Sequence, residues 1–317
     1  MVLLGMEIGG TKLQFGIGTG RDGKLVTLVR RDVDRHQGAE GIRQQIANLG
    51  TELVKEHGVQ RVGIGFGGPV DAPCGRTIRS FQIEGWDDFP LGAWCESTLG
   101  VPAVIENDSN LAGLAEARFG AGRAARVAFY SNVGSGIGGA LVIEGRLYTG
   151  GSGVAVAEVG HLRPGPDAVD SNATVESVAS GWALANQARR YIADDNGSHA
   201  LAIVQLLESC GGDAGRLTGK IVAEAAAQGN LLACTVLHNA VRTYGWALAQ
   251  VVTLLSPNVL VIGGGVAQMD KNLFLAPLLE QIRQYVMPPL RDSFVLCSAE
   301  LGEDVVVHGA LALAAGA

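Results

Sequence analysis

The chain opens with three short segments in which apolar residues dominate and turn residues separate them. Val2–Ile8, Leu13–Gly18 and Leu25–Arg31 have the length and composition of strands. The turns between them contain Gly9-Gly10-Thr11 and Asp22-Gly23, which suit tight connections. The chain is therefore predicted to begin with three strands joined by short turns.

The hydrophobic period then changes to that of a helix. Apolar residues at Ile42, Ile46, Leu49 and Leu53 form one stripe, which predicts a helix over Gly41–His57. Strand and helix patterns continue to the end of the chain. Further strands are predicted at Arg61–Phe66, Val101–Ile105, Val127–Ser131, Ile137–Ile143, Arg146–Tyr148 and Val259–Ile262. Further helices are predicted at Ala93–Leu99, after Asp108, and at Gly181–Ala193, Leu201–Ser209, Lys220–Gln228, Leu231–Leu255, Leu273–Tyr285 and Val305–Ala315.

A strand, a glycine-rich turn and a second strand occur together twice. Leu3–Gly16 shows this pattern first, and Ala128–Ile143 repeats it. A duplicated unit of this kind places two phosphate-sized turns opposite each other across a cleft. The length of 317 residues also fits two domains. We predict an α/β protein with domains at 1–118 and 119–304, with the C-terminal helix 305–317 returning to the first domain.

Composition and charge exclude several classes of partner. Hydrophobic residues make up 47% of the chain, enough for large cores, and the net charge of −7 argues against nucleic acid or anionic membrane as a partner. No apolar stretch is long enough to span a membrane. The five cysteines are scattered and include no C-x-x-C pair, which favours reduced thiols in the cytoplasm. We expect a soluble cytoplasmic protein.

Two glycine-rich turns and a later glycine run are candidates for phosphate or nucleotide contact. In the first turn, glycine amides can approach phosphate oxygens, and Glu7 precedes it by two residues. An ordinary Gly-Gly hairpin turn explains the same residues equally well. The first turn consists of Gly9, Gly10, Thr11 and Lys12, the second includes Gly134, Ser135 and Gly136, and the later run includes Gly264 and Gly265.

The second turn spells G-x-G-x-x-G over Gly134–Gly139, the pattern of a dinucleotide fingerprint. That fingerprint requires a helix after the glycines, whereas Ala140–Ile143 has the pattern of a strand. A hairpin tip that faces a phosphate is the better interpretation. Gly263–Gly265 instead leaves a strand toward a helical region, where a nucleotide can lie; a simple strand-to-helix connection is the alternative.

Polar side chains at two further places are candidates for acid–base chemistry and hydroxyl binding. Glu106–Asn110 lies between a strand and a helix, where Asp108 can accept a proton or the polar residues can simply cap the helix. Glu158 and His161 stand three residues apart after a glycine-rich stretch. Such a pair can bind vicinal hydroxyls of a sugar through paired hydrogen-bond acceptors and donors, although a lone histidine is more often structural.

In their order and spacing, these segments resemble the ROK family of sugar kinases and sugar-responsive repressors, within the actin-like ATPase (ribonuclease H-like) superfamily. Six motifs carry the resemblance over nearly the whole chain. They are Glu7–Lys12, Gly63–Asp71, Glu106–Asp108, Asn132–Gly139, Glu158–His161 and Ser180–Leu184.

The resemblance implies two actin-like domains with a cleft between them and ATP-dependent phosphorylation of a hexose, as in a glucokinase-like enzyme. It implies Asp108 as the catalytic base and Mg²⁺ near Glu7, held through water. It also implies a homodimer whose small-molecule partners are a sugar and a nucleotide. The implied sugar-binding residues are Gly68, Gln82, Asn107, Asp108, Glu158, His161 and Glu176, and the implied nucleotide-binding residues are those of the three glycine segments.

The chain departs from the family pattern at three places. The family's zinc loop, C-x-C-G-x-x-G-C, is expected between His161 and Glu176, but no cysteine occurs there, so we predict no structural zinc. Glu7 stands where the family has Asp, which shifts the expected metal position. Gln82 stands where an Asn commonly meets the sugar, and Gly67 replaces a Pro. The identity of the sugar is therefore the least determined property.

Three alternatives to a hexose kinase remain open on the sequence. A kinase for N-acetylmannosamine or N-acetylglucosamine uses the same frame. A non-catalytic sugar-binding relative is suggested by the three departures, although retention of Asp108 speaks against it. A sugar-responsive DNA-binding regulator is disfavoured, because the first strand begins at Val2 and we expect no helix-turn-helix before it.

Overall fold

The computed structural model describes residues 1–265 and 269–316 and has an α/β architecture. Two five-stranded sheets and a two-stranded ribbon contain its strands. The first sheet has the order β3-β2-β1-β4-β7 and the second has the order β10-β9-β8-β11-β12. The strands are β1 (Leu3–Ile8), β2 (Lys12–Gly18), β3 (Leu25–Asp32), β4 (Arg61–Phe66), β5 (Val70–Asp71), β6 (Arg76–Thr77), β7 (Ala103–Asn107), β8 (Val127–Val133), β9 (Ile137–Ile143), β10 (Arg146–Leu147), β11 (Val259–Gly263) and β12 (Val295–Ser298).

Most of the helices lie at or within a few residues of the predicted positions. Ser256, in the left-handed region (φ 45°), follows Leu255, the predicted and observed end of the longest described helix. The helices are α1 (Gly38–Gln45), α2 (Thr51–His57), α3 (Leu91–Leu99), α4 (Asp108–Arg118), α5 (Glu176–Ala179), α6 (Gly181–Ala193), α7 (Ala200–Glu208), α8 (Gly219–Ala227), α9 (Leu231–Leu255), α10 (Leu275–Tyr285) and α11 (Val305–Ala314).

Strand register in the first sheet gathers three loops at one edge. β1 runs antiparallel to β2 and parallel to β4, and β4 runs parallel to β7. Ile8 is the register partner of Phe66, and Phe66 is the partner of Asn107. Because parallel strands end at the same edge, the segments after these three residues emerge side by side. The first glycine turn, Gly67 and Asp108 therefore share one edge of the sheet.

Helix α11 packs on the first sheet at a distance that only glycine permits. A β-carbon on Gly63 would overlap the carbonyl oxygen of Ala310 and lie 2.7 Å from its carbonyl carbon. A β-carbon on Gly5 would lie 2.7 Å from the carbonyl oxygen of Val307. The first glycine of the Gly63–Asp71 motif therefore serves helix packing.

The short elements β5, β6 and α5 were not predicted, and two further parts of the fold differ from the predicted pattern. The predicted helix over Gly41–His57 is divided by a π-helical turn at Ile46–Gly50, although its apolar stripe is confirmed: Ile42 and Ile46 are fully buried. An inserted π turn leaves the apolar spacing nearly intact, so periodicity does not reveal it. Strand β12 was not predicted; it pairs in parallel with β11 at the edge of the second sheet, and its four residues are too few for a clear alternation.

The chain divides into two compact units. Unit 1 comprises Met1–Tyr130, Ala140–Ala157 and Ala299–Ala317, and unit 2 comprises Ser131–Gly139 and Glu158–Ser298. Helix α11 belongs to unit 1, while the predicted domain boundary after residue 118 stays a prediction. Among the described residues, no helix is long and apolar enough to cross a membrane.

Candidate functional site

The junction of β7 and α4 in unit 1 carries the segment singled out from the sequence. Asn107 caps the helix, because its Oδ1 accepts hydrogen bonds from the backbone N–H groups of Ser109 (2.9 Å) and Asn110 (3.3 Å). Its Nδ2 donates to the carbonyl oxygen of Gly68 at 3.0 Å. Capping is therefore done by Asn107, and Asp108 is left as the first residue of α4.

The carboxylate of Asp108 stands at the sheet edge beside Gly67. Its Oδ1 accepts a hydrogen bond from the backbone N–H of Ser109 at 2.7 Å, and a β-carbon built on Gly67 would lie 3.5 Å from Oδ2. Although part of the residue stays accessible, loss of hydration raises the pKa of Asp108 to about 6. The Ser109 N–H opposes this rise, and the charge of Glu7 adds to it. A carboxylate with such a pKa is a suitable general base.

Glu106 is hydrogen-bonded to two residues of this junction. It is 4% exposed, and its Oε1 accepts hydrogen bonds from the backbone N–H of Asn107 (2.8 Å) and from Nδ2 of Asn110 (2.9 Å). Burial raises the pKa of Glu106, while these two donors lower it. Asn107, which precedes Asp108, is therefore hydrogen-bonded through its backbone N–H as well as through its side chain. These bonds restrict where the helix can begin.

The charged residues of the first glycine turn are paired with each other. Oε2 of Glu7 accepts a hydrogen bond from Nε2 of Gln14 at 2.5 Å and lies 3.4 Å from Nζ of Lys12. The Lys12 ammonium also donates to the carbonyl oxygen of Glu303 at 3.2 Å. Burial raises the pKa of Glu7, and Lys12 and Gln14 oppose that rise. Lys12 therefore neutralises Glu7 in this structure.

Gly10 of the first turn contacts Gln82 and Arg35. A β-carbon on Gly10 would overlap Oε1 of Gln82 and lie 2.6 Å from its Cδ. Nε of Arg35 donates to the carbonyl oxygen of Gly10 at 2.9 Å. Thr11 is exposed beside them. Gln82, a predicted sugar-binding residue, and the first predicted phosphate turn are thus in contact within unit 1.

The second glycine turn and Glu176 come together in unit 2. The turn is a hairpin tip between β8 and β9, as predicted, and no helix follows it. Oε2 of Glu176 accepts a hydrogen bond from the backbone N–H of Ile137 at 2.7 Å, and a β-carbon on Gly136 would lie 2.6 Å from the same oxygen. A β-carbon on Gly160 would overlap the carbonyl oxygen of Ile137. These two glycines therefore allow the Glu158–His161 segment and Glu176 to approach Ile137.

Glu158, His161 and Glu176 form an electrostatically coupled group in unit 2. Loss of hydration raises the pKa of Glu158 even though the residue keeps solvent access. A positive charge on His161 lowers that pKa, and the carboxylate of Glu176 raises it further. The group combines acceptors with a potential donor, the chemistry needed to bind several hydroxyl groups.

A cavity of about 840 Å³ lies in unit 2 next to the second turn. That volume falls in the range of small-molecule and cofactor sites. Its walls include three of the predicted nucleotide-binding residues: Gly134, Ser135 and Gly265. Gly264 adjoins them with a φ of +84°, and a β-carbon there would lie 2.6 Å from the carbonyl carbon of Val133. Residues 266–268, which follow Gly265, lie outside the described residues.

Several residues of the cavity were not assigned a nucleotide-binding role from the sequence, although Gly181 belongs to the Ser180–Leu184 motif. Gly181 and Gly219 begin helices α6 and α8, and a β-carbon on Gly219 would lie 2.5 Å from the carbonyl oxygen of Gly181. The two helix starts therefore meet at the cavity wall. Arg189 holds the segment before α8, donating to the carbonyl oxygens of Ala214 (2.9 Å) and Leu217 (2.6 Å). The caps Ser180 and Thr218 were the available sequence signal.

One carboxylate of unit 1, that of Glu7, fits Mg²⁺. At the sheet edge, the Glu7 carboxylate is the oxygen type that Mg²⁺ accepts, directly or through water, and the hydrogen bonds described for it reach Oε2 only. Over residues 1–265 and 269–316, no group of three or more His, Cys, Asp or Glu side chains is arranged to hold a metal ion. A glutamate that shares an ion with phosphate oxygens needs no such group.

Comparison with known proteins gives one consistent result. The model of the ROK family matches residues 3–317. Glucokinase from Thermotoga maritima is 29% identical, over 98% of this chain and 96% of its own length. Glucokinase from Streptomyces coelicolor is 30% identical, over 98% of this chain and 96% of its own length.

A solved structure supports the same relationship. A ROK family glucokinase from Streptomyces griseus, in complex with glucose and AMPPNP, superimposes with a TM-score of 0.81 at 31% identity and 100% coverage of both chains. This likeness confirms the predicted fold class, and the match of the family model over nearly the whole length confirms the resemblance drawn from the six motifs. The chain belongs to the ROK family.

Proposed function

We propose that this protein is an ATP-dependent hexose kinase, with glucose as the first substrate to test. Its relatives in the ROK family include glucokinases aligned over their full length. The observation that carries the proposal is Asp108, a carboxylate with a pKa of about 6 at a helix start and at the same sheet edge as a glycine turn. That pKa keeps the group largely ionised at neutral pH yet basic enough to accept a proton.

The reaction joins a sugar hydroxyl oxygen to the terminal phosphorus of ATP. Asp108 takes the hydroxyl proton as the new O–P bond forms and the bond to the bridging oxygen of ADP breaks, so the products are a sugar phosphate, ADP and a protonated Asp108 that then releases its proton. Oδ1 of Asp108 is fixed by the Ser109 N–H, which leaves Oδ2, on the side of Gly67, to receive the proton. Catalysis of this kind depends on positioning and electrostatics.

Backbone amides of the two glycine turns would bind the phosphates. The proposed phosphate-binding residues are Gly9, Gly10, Thr11 and Lys12 in the first turn and Gly134, Ser135 and Gly136 in the second. Mg²⁺, when bound near Glu7 directly or through water, would offset negative charge on the phosphates. In this structure, Lys12 is paired with Glu7. When phosphate binds, Lys12 can contact the phosphate and Glu7 can contact Mg²⁺.

The nucleoside of ATP would occupy the 840 Å³ cavity of unit 2, beside Gly264 and Gly265. The starts of α6 and α8 lie at its wall, and the positive ends of their helix dipoles favour the negative charge of the phosphates. By the family resemblance, the residues proposed to hold the sugar hydroxyls are Gly68, Gln82, Asn107, Glu158, His161 and Glu176.

A homodimer in the cytoplasm is the setting we propose for this activity. The scattered free cysteines support a reducing compartment, and the family resemblance supports the dimer.

The direct test is ADP release from MgATP across a panel of hexoses and N-acetylhexosamines. We expect turnover on at least one unmodified hexose, with glucose the first candidate. Turnover on N-acetylhexosamines alone would make the protein an amino-sugar kinase, and turnover on no sugar would refute the kinase function.

A paired variant tests the role of Asp108. Asp108→Asn should lower kcat by about three orders of magnitude or more while the dissociation constant for the sugar changes only a few-fold, because the amide keeps the shape but cannot accept the proton. Asp292→Asn, at an aspartate whose side chain is 76% exposed, is the matched control and should keep normal kcat. Near-normal turnover of Asp108→Asn would mean that another group is the base.

A further inference from the structure

The loop between His161 and Glu176 is closed by its own hydrogen bonds. At its base, the backbone N–H of Val175 donates to the carbonyl oxygen of Leu162 at 2.9 Å. Across its middle, Nη1 of Arg163 donates to the carbonyl oxygen of Asp170 and, at 3.4 Å, to that of Ala173. The guanidinium of Arg163 therefore connects the start of the loop to its far side, residues 170–173.

The far side is itself a compact turn that leads into α5. Oδ1 of Asp170 accepts a hydrogen bond from the backbone N–H of Asn172 at 2.9 Å. The carbonyl oxygen of Asp170 accepts a hydrogen bond from the backbone N–H of Ala173 at 3.0 Å. Thr174 and Ser177 then exchange hydrogen bonds across the helix start: the Ser177 N–H donates to Oγ1 of Thr174 at 3.2 Å. Glu176 is the first residue of that helix. Its position therefore depends on the turn that Arg163 holds.

A structural zinc ion, which the family implies for this loop, does not fit the residues present. Residues 162–175 contain no cysteine, and their only carboxylates are Asp167 and Asp170. Oδ1 of Asp170 is engaged within the loop, and the positively charged guanidinium of Arg163 reaches across the loop to the carbonyl oxygens of Asp170 and Ala173, where it would repel a second cation. The loop is crosslinked by an arginine in place of a metal.

We propose that Arg163 is a positioning residue for the sugar site. The loop begins directly after His161 and ends directly before Glu176, and Arg163 adds a second crosslink to the backbone hydrogen bond at its base, which limits changes in the separation of the two side chains. Without the crosslink, the loop gains conformational freedom that must be lost when the sugar binds, which weakens sugar affinity. The loop is not among the walls of the cavity assigned to the nucleoside, so the affinity for AMPPNP should change much less than the affinity for the sugar. This inference rests on the proposed function.

Calorimetric titration of the full chain with glucose, or with whichever sugar the panel identifies, is the primary test. For Arg163→Met we expect a dissociation constant about tenfold higher, which corresponds to about 1.4 kcal/mol. The KM for the sugar should rise in parallel, while kcat at saturating sugar and the affinity for AMPPNP stay within about twofold. Arg163→Lys should recover part of the lost affinity, since it restores one donor. Arg242→Met, at an exposed arginine of α9, is the matched control and should match the unmodified protein.

Two results would overturn the inference. Unchanged sugar affinity in Arg163→Met would show that the crosslink does not position the site, and an equal loss of sugar and AMPPNP affinity in both Arg163 variants would show a general structural role. A third measurement, metal content of the purified protein, would also contradict it by finding one tightly held zinc per chain. If the unmodified protein phosphorylates no sugar, the proposed function fails instead, and calorimetry with the sugars still measures the effect of the crosslink through binding alone.

Discussion

The raised pKa of Asp108 predicts a specific dependence of turnover on pH. The perturbation is simply to lower the pH of the assay from 8 to 4.5, because this protonates the proposed base. Burial raises the pKa of Asp108 to about 6, from its ordinary value of 3.8. The rate needs the ionised form, so kcat/KM for the sugar should rise as pH increases through 6 and level off above it.

The size of the effect follows from that shift. At pH 5, a group with a pKa of about 6 is ionised in about one molecule in eleven, whereas an aspartate with a pKa of 3.8 would be more than nine-tenths ionised. Between pH 8 and pH 5 we therefore expect kcat/KM to fall about tenfold. An unperturbed base would give almost no fall over the same range.

The assay is direct quantification of ADP by chromatography, since coupling enzymes lose activity in acid. Donor and Mg²⁺ are kept saturating at every pH, because phosphate groups of the donor also titrate in this range. Asp108→Asn provides the internal control: its residual rate should lack the acid limb centred near pH 6. The unmodified protein is incubated at each pH and returned to pH 7.5, and full recovery of the rate shows that the fall is not due to unfolding.

A flat profile between pH 8 and pH 5 would refute the reasoning. It would mean either that Asp108 keeps an ordinary pKa when substrates are bound or that it is not the base. A fall that also persists in Asp108→Asn would assign the titration to another group.

Three further predictions concern stability and are measured by urea unfolding monitored by circular dichroism. The pKa of Asp108 in the folded state, about 6, lies above its unfolded value of 3.8, so ionisation of this group lowers the stability of the protein as pH rises from 3.8 to 6. Asp108→Asn removes this cost and should stabilise the protein at pH 7 by about 1–2 kcal/mol, with no gain below pH 3.8. Gly63→Ala should cost about 1–3 kcal/mol because its methyl group overlaps Ala310, whereas Gly151→Ala, with nothing within 4 Å, should be nearly neutral; equal effects would contradict the packing argument. Glu116→Ala should cost about 2–3 kcal/mol, since this fully buried carboxylate accepts three backbone N–H groups, and a loss below about 0.5 kcal/mol would contradict that role.

Local sequence signals predicted most elements because those signals act over a few residues. The helices α6 and α9 have the predicted bounds, since caps and helical spacing operate within one or two turns. The hairpin tip at Gly134 was also correctly distinguished from a dinucleotide fingerprint, because the residues that follow it have the pattern of a strand. The π turn in the first predicted helix was invisible, as it changes hydrogen bonding without changing the apolar stripe.

Glycines show most clearly where prediction from the sequence reached its limit. In the sequence, the Gly63–Asp71 motif and the Glu158–His161 motif, which contains Gly160, were both associated with ligand binding by resemblance. In the structure, Gly63 contacts α11 and Gly160 contacts Ile137. A glycine looks the same in both roles, and only the neighbour across the fold distinguishes them.

The sequence alone determined the α/β class, the order of the motifs and the candidate base, because hydrophobic period, turn residues and helix caps are local properties of the chain. Tertiary structure decided which polar groups meet. Asn107 takes the capping role and leaves Asp108 at the sheet edge, Lys12 pairs with Glu7, and Arg163 closes the loop before Glu176. These pairings depend on strand register and loop closure. The energies that select them arise only when segments distant along the chain, or the two ends of a loop, are packed together.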